Sequence, residues 1–182
     1  MRLRISMSVV LFAITFSSFG QKLAARDGYV KFFSAAALEN IEAENNLVTS
    51  VLDLSSGNFA FLVKIKSFQF DKALMQEHFN ENYLMSDEFP KATFKGSIEN
   101  FENLDFTKDG TFEATFKGTM QIKGKDKEIS EPATITIKDG VVSLNSEFTI
   151  KASDYGVNIP AAKKDNISEN LKITVKITYA KK

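Results

Sequence analysis

The stretch Phe112-Glu113-Ala114-Thr115-Phe116-Lys117-Gly118-Thr119-Met120-Gln121-Ile122-Lys123 decides the fold. Its character alternates residue by residue. Phe112, Ala114, Phe116, Gly118, Met120 and Ile122 share one face, and Glu113, Thr115, Lys117, Thr119, Gln121 and Lys123 share the other. Successive side chains of a strand point to opposite faces, so this period of two predicts a β-strand with one apolar and one wet side. A sheet wet on one face is antiparallel more often than parallel, because parallel sheets are covered on both faces.

The pattern recurs on either side. Ala92, Phe94, Gly96 and Ile98 oppose Thr93, Lys95, Ser97 and Glu99. Ile135 and Ile137 oppose Thr134, Thr136 and Lys138, and Phe148, Ile150 and Ala152 oppose Thr149 and Lys151. Ile173, Val175, Ile177 and Tyr179 oppose Lys172, Thr174, Lys176 and Thr178. Ser55-Ser56-Gly57-Asn58 separates the segment at residues 47–54 from that at residues 59–70. Asp109-Gly110 and Asp139-Gly140 can take the positive φ angles of tight hairpins, and Lys123-Gly124-Lys125-Asp126 is a further polar break. Consecutive strands joined by short turns form an antiparallel meander, and closing it into a barrel removes the exposed edges.

Residues 71–85 depart from this pattern. Leu74, Met75, Phe79 and Tyr83 fall at helical spacing. A short helix is expected there, with Asp71 capping its first turn and Phe89-Pro90 beyond its end. Residues 34–44 are ambiguous, since Leu38 and Ile41 fit either a short helix or a loop.

At the amino terminus, Arg2 and Arg4 precede an uncharged apolar run at residues 6–16, followed by Ser17, Ser18, Gly20 and Gln21. This order predicts a secretory signal peptide over residues 1–20 and one domain over 21–182. The apolar run is shorter than the roughly 20 residues of a spanning helix. The chain has no cysteine, which excludes disulfides, thiol chemistry and a lipidated cysteine anchor. The expected location is periplasmic or secreted. Without a disulfide framework the domain relies on its core, for which about 160 residues suffice.

The chain carries 23 basic and 23 acidic side chains. Setting aside Arg2 and Arg4 leaves 21 basic against 23 acidic, a formal net charge of −2. No excess of Lys and Arg suggests a nucleic-acid partner. The compositional excess is in phenylalanine, with 17 residues and no tryptophan. Phenylalanine buries a large area without a polar group, so these rings either fill a core or wall an apolar cavity.

Catalytic equipment is sparse. His78 is the single histidine, no Gly-x-Ser-x-Gly elbow surrounds a serine, and no phosphate-binding glycine loop is present. Glu77, His78 and Glu81 are a poor ligand set beside the nitrogen-rich sets of catalytic zinc. Asn166-Ile167-Ser168 matches a glycosylation acceptor, and Asp154-Tyr155-Gly156 reads as a turn at a strand end. What remains is the shared apolar face. A barrel of about eight strands is wide enough for a slender ligand. Phe59, Phe61, Phe94, Phe112, Phe116 and Phe148 would all point to its interior, with Gly96 and Gly118 leaving room between them.

Three segments, in order, resemble the YceI-like family. Gln76-Glu77-His78-Phe79-Asn80-Glu81-Asn82-Tyr83-Leu84-Met85-Ser86-Asp87-Glu88-Phe89-Pro90-Lys91-Ala92-Thr93-Phe94 resembles its central signature, in which a short helix with His leads into a Ser, an aromatic-Pro pair and a Phe. Phe116-Lys117-Gly118-Thr119-Met120-Gln121-Ile122-Lys123-Gly124 is similar to its Gly-x-Leu-x-Ile-x-Gly strand. Phe148-Thr149-Ile150-Lys151-Ala152-Ser153-Asp154-Tyr155-Gly156 is similar to its Phe-x-Ile-x-Arg-x-Asp-aromatic-Gly segment, and Val175 belongs to the closing strand. The chain departs from the family in two places. Gly28-Tyr29-Val30-Lys31-Phe32-Phe33-Ser34 lacks the usual early histidine, and Lys151-Ala152 stands where a basic residue often precedes the Asp.

The resemblance implies an all-β, eight-stranded antiparallel, extended lipocalin-like barrel with a helical insertion near residues 71–85. It also implies a polyisoprenoid chain, such as a quinone or its precursor, in the lumen, with the protein as carrier or store. The expected lining residues are Phe59, Phe61, Phe94, Phe112, Phe116, Met120, Phe148 and Val175. The expected partners are an isoprenoid lipid or quinone-like small molecule, with transient contact with membranes and without nucleic acid. No cofactor, metal or catalytic residue is called for. A ligand-free structural or protein-interaction barrel is the alternative, and an enzyme on the same scaffold ranks below it.

Overall fold

Alternation of apolar and polar residues over eight long segments leaves each strand one face to bury, and the chain buries all of them inside a closed ring. The computed structural model describes residues 22–179, and the leader expected at 1–20 lies outside the described residues. The elements are β1 (Lys22–Ala35), β2 (Asn40–Asp53), β3 (Asn58–Lys64), the two-residue β4 (Gln69–Phe70), α1 (Ala73–His78), β5 (Lys91–Ile98), β6 (Gly110–Ile122), β7 (Lys125–Lys138), β8 (Val141–Lys151) and β9 (Asn170–Tyr179). Every pairing is antiparallel. The ring runs β1-β2-β3-β5-β6-β7-β8-β9 and closes where β9 meets β1, while β4 sits on the edge of β2. This is an eight-stranded, all-β, up-and-down barrel with one short helical insertion.

Two tight turns fix the register of the longest strands. Lys123 and Gly124 have φ of 49° and 69°, and Asp139 and Gly140 have φ of 52° and 75°. Positive φ at both central residues matches the right-handed twist of the flanking strands. Asp109-Gly110 is different. The β5–β6 connection is long and contains the 3₁₀ turn Phe101–Asn103, and Gly110 opens β6 without positive φ. The Asp109 carboxylate instead accepts the backbone N–H of Asp139, which ties two loops at the same end of the barrel.

Three local expectations are corrected. The run at residues 59–70 is not one strand: β3 stops at Lys64, a 3₁₀ turn follows over Ile65–Ser67, and Phe70 pairs with Ala43. Residues 34–44 are mostly strand: 34–35 end β1, 40–44 open β2, and only 36–39 form the turn between them, with Leu38 73% exposed at its tip. The helix lies within the expected span, as α1 continued by a π-helical turn over Phe79–Tyr83, but Asp71 does not cap it. Lys72 occupies the capping position, makes no side-chain cap bond, and its Nζ reaches Glu39 at 2.6 Å. That ion pair ties the helix to the β1–β2 turn.

The two ends of the barrel are built differently. Leu52, Phe59, Ile98, Ile135, Ile137, Val142, Ile177 and Tyr179 fill the end that holds the β7–β8 turn, all nearly inaccessible. Across this plug the Tyr179 hydroxyl and Ser50 Oγ lie 2.7 Å apart, satisfying each other inside the core. Gly96 and Gly118 do not make room in the lumen. They face each other across β5 and β6, and a Cβ on Gly118 would stand 2.1 Å from the Lys95 carbonyl oxygen. Their role is to let two backbones approach closely.

Candidate ligand-binding cavity

The end opposite this plug is hollow. A cavity of about 350 Å³ lies between the strands and the segments that cross the opening, a volume within the usual range of small-molecule sites. Each strand contributes through its inward face. Val30 and Phe32 come from β1, Phe61 and Val63 from β3, Phe94 from β5, Met120 and Ile122 from β6, Phe148 and Ile150 from β8, and Ile173 and Val175 from β9. Phe68, Phe70, Phe79 and Leu84, from the helical insertion and its approach, form the roof.

Of the eight residues expected to line the lumen, Phe61, Phe94, Phe116, Met120, Phe148 and Val175 stand on the cavity wall. Phe59 and Phe112 do not. Phe59 lies beneath the wall, with its ring 4.8 Å from both Phe94 and Phe116, where it helps to floor the cavity. Phe112 pairs with Ile135 near the start of β6, at the plugged end, and its ring covers Gly110. Both share the inward face with the others, but their height along the barrel places them in the plug. Face is legible from period two, whereas height depends on where the interior is filled.

A second aromatic group was not anticipated. Phe32 stacks on Phe79 at 5.4 Å, and Phe68 and Phe70 stand 5.5 Å and 5.1 Å from Phe79. This cluster closes the roof against β1. The alternation Val30, Phe32, Ser34 carried the signal for Phe32. The other three rings meet only because the chain leaves β3, crosses the opening and returns as a helix.

The wall also carries polar groups. Ser34 Oγ accepts the backbone N–H of Ser168 at 2.8 Å, which holds the 156–169 segment over β1. Glu131 follows the inward-facing sequence Ile129, Glu131, Ala133, Ile135 on β7. Its carboxyl makes no hydrogen bond or ion pair among the described residues, and burial raises its pKa above the ordinary glutamate range, opposed only by Lys127. Tyr155 is 1% exposed, yet its hydroxyl has no hydrogen-bond partner among the described residues. Burial, followed by the charges of Asp154 and Glu131, pushes its pKa up to about 12.

These two groups sit where the barrel wall divides. Pairing of β7 with β8 covers only Thr134 to Lys138 against Val141 to Asn145. Ser146 Oγ still reaches the Pro132 carbonyl at 2.6 Å, and then the strands part. The 3₁₀ turn Ala152–Tyr155 occupies the gap, tied to β7 by the Lys127–Asp154 ion pair and to the β6–β7 turn by Lys123 Nζ on the Gly156 carbonyl. His78 also borders the cavity but is exposed. Among the described residues, no three His, Asp or Glu side chains gather closely enough to hold a metal ion.

An up-and-down antiparallel barrel, plugged at one end and hollow and apolar at the other, is a lipocalin-like barrel. The chain belongs to the YceI-like domain family, whose model matches residues 15–179. Solved structures share its fold at low identity. A polyisoprenoid-binding domain from Saccharophagus degradans, implicated in plant cell wall breakdown, superposes with a TM-score of 0.76 at 12% identity, covering 88% of this chain and 98% of its own. BcnA from Burkholderia cenocepacia gives 0.69 at 16% identity, covering 84% and 96%. The YceI protein of Campylobacter jejuni gives 0.56 at 16% identity, covering 100% and 94%. No curated protein sequence matches the chain significantly.

Proposed function

We propose that this protein is an exported carrier or store that holds the tail of a polyisoprenoid or similar lipid inside its barrel, without catalysis. The carrying observation is the cavity of about 350 Å³, walled by Phe, Val, Ile, Leu and Met side chains. Burying one methylene contributes about 0.8 kcal/mol, so each five-carbon unit of a prenyl chain is worth about 4 kcal/mol before ordering costs. A tail therefore needs few polar contacts to bind. The polyisoprenoid-binding description of the Saccharophagus degradans relative supports the same ligand class. We assign Phe61, Phe94, Phe116, Met120, Phe148 and Val175 as tail contacts, with Phe32 and Phe79 added from the roof.

Export to the periplasm or the medium is supported by Arg2, Arg4, the apolar run at residues 6–16 and the small residues before Gln21. Transient contact with membranes is supported by Leu38 and Leu74, which are 73% and 60% exposed on the β1–β2 turn and α1, both at the open end. The test is a thermal melt of delipidated protein with menaquinone-4, a quinone with a twenty-carbon prenyl tail. At a hundredfold excess over Kd, binding adds about 2.7 kcal/mol. For a domain of this size that is a rise of roughly 5–10 °C. An unchanged melting temperature with menaquinone-4 and other prenyl lipids refutes the assignment.

A further inference from the structure

A cavity made only for a hydrocarbon tail has no use for an inward-facing acid. Glu131 nevertheless occupies a lumen position on β7, between Ile129 and Ala133, and lines the cavity with a half-buried carboxyl that makes no hydrogen bond or ion pair among the described residues. Beside it, Tyr155 is inaccessible, and its hydroxyl is one of two buried side-chain polar atoms without a partner among the described residues. Leaving such a hydroxyl unpaired costs free energy that a phenylalanine would avoid. Two polar groups without hydrogen-bond partners at the split between β7 and β8 therefore mark a polar end to a predominantly apolar cavity.

We infer that Glu131 and Tyr155 form a head-group site that takes an uncharged, oxygen-bearing head, a carbonyl or hydroxyl, and disfavours a phosphate head. The reading rests on the proposed tail-binding function and adds its specificity. The Tyr155 hydroxyl donates to a carbonyl or hydroxyl oxygen. The Glu131 carboxylate accepts from a hydroxyl, and its protonated form, which burial favours, donates to a carbonyl. An anionic head meets the opposite situation. It would lie beside an acid in a medium of low dielectric, where like charges repel strongly. The neighbouring cation, Lys127, is already engaged by Asp154. Lys163 is the single lysine or arginine among the lining residues, and it is exposed on the 3₁₀ turn Ala161–Lys163 at the opening.

The experiment compares four probes of equal tail length: the hydrocarbon phytane, geranylgeraniol, menaquinone-4 and geranylgeranyl diphosphate. Affinities are read by displacement of Nile red from the parent, Glu131→Gln and Tyr155→Phe proteins. Both substitutions preserve shape, and melting curves confirm folding. In the parent, geranylgeraniol and menaquinone-4 bind about three- to tenfold more tightly than phytane, the effect of one net hydrogen bond. The diphosphate binds at least about tenfold more weakly than the alcohol. Tyr155→Phe removes the preference over phytane without weakening phytane itself, and Glu131→Gln narrows the gap between alcohol and diphosphate. Equal binding of alcohol and phytane by the parent, tighter binding of the diphosphate, or preferences that persist in both variants overturns the inference while tail binding stands. Failure of every probe, phytane included, removes the tail-binding reading and this inference with it.

Discussion

Ala133 is where bulk can be added to the cavity with least disturbance to the barrel. It lies on the inward face of β7, is 4% exposed, lines the cavity, and faces another small residue, Ala114, across the β6 ladder. Ala133→Phe places a benzyl group in space otherwise open to a ligand. A ring of that size displaces about one five-carbon prenyl unit, which forfeits up to about 4 kcal/mol at 0.8 kcal/mol per methylene. Allowing the tail to shift towards the opening, we expect a loss of about 2–4 kcal/mol, or thirty- to a thousandfold in Kd. Overpacking a filled core normally costs about 1–3 kcal/mol, but here the ring enters apolar space. The melting temperature of the empty protein should hold or rise. Nile red displacement by geranylgeraniol measures the first effect and a circular-dichroism melt the second. A folded variant that binds within about threefold of the parent would refute the placement of the ligand. A variant that loses stability as fast as it loses affinity would show that no usable space exists at Ala133.

Three other substitutions probe the scaffold and the polar end. Gly118→Ala puts a Cβ 2.1 Å from the Lys95 carbonyl oxygen, so β5 and β6 must separate; a loss of at least about 1–3 kcal/mol in urea unfolding is expected, and a neutral result would contradict the close approach. Ser50→Ala orphans the buried Tyr179 hydroxyl and should cost about 1–3 kcal/mol, much of it restored in Ser50→Ala/Tyr179→Phe; additive losses would remove the pairing from the account. Glu131 has a raised pKa in the folded protein, so its protonated form is the better tolerated one, and folded stability declines as pH rises through the ordinary glutamate range towards the folded pKa. Glu131→Gln should therefore melt like the parent at pH 4 and at a higher temperature at pH 7, and identical differences at both pH values would count against burial of the carboxyl.

The barrel was legible because its strands are long and alternate strictly. Residues 112–123 alone expose the period, and Asp139-Gly140 takes the positive φ angles its residue types suggest, whereas Asp109-Gly110 does not and Lys123-Gly124, read only as a polar break, does. The boundaries were less legible. Apolar residues continue past Lys64 as Ile65, Phe68 and Phe70, so composition does not reveal that the chain leaves β3 at Lys64. The glycine pair Gly96 and Gly118 illustrates a different limit: a glycine on an inward face can make space in the lumen or bring two backbones together, and only the register across β5 and β6 decides. The same holds for Phe59 and Phe112, whose faces follow from alternation but whose position in the plug follows from the filled half of the barrel. Glu131 breaks the inward alternation of β7, an exception in an apolar series that the reading of residues 134–138 stopped short of. Tyr155 gave no comparable signal, because its missing partner is a property of the folded split between β7 and β8.

Native mass spectrometry of the protein purified from its own host, without detergent, tests the central claim most directly. The account predicts a one-to-one non-covalent adduct that extracts into organic solvent as a prenyl lipid with an uncharged head, and that is lost from Ala133→Phe. Protein at its bare polypeptide mass, yielding no extractable lipid and taking up no added prenyl lipid, would contradict it.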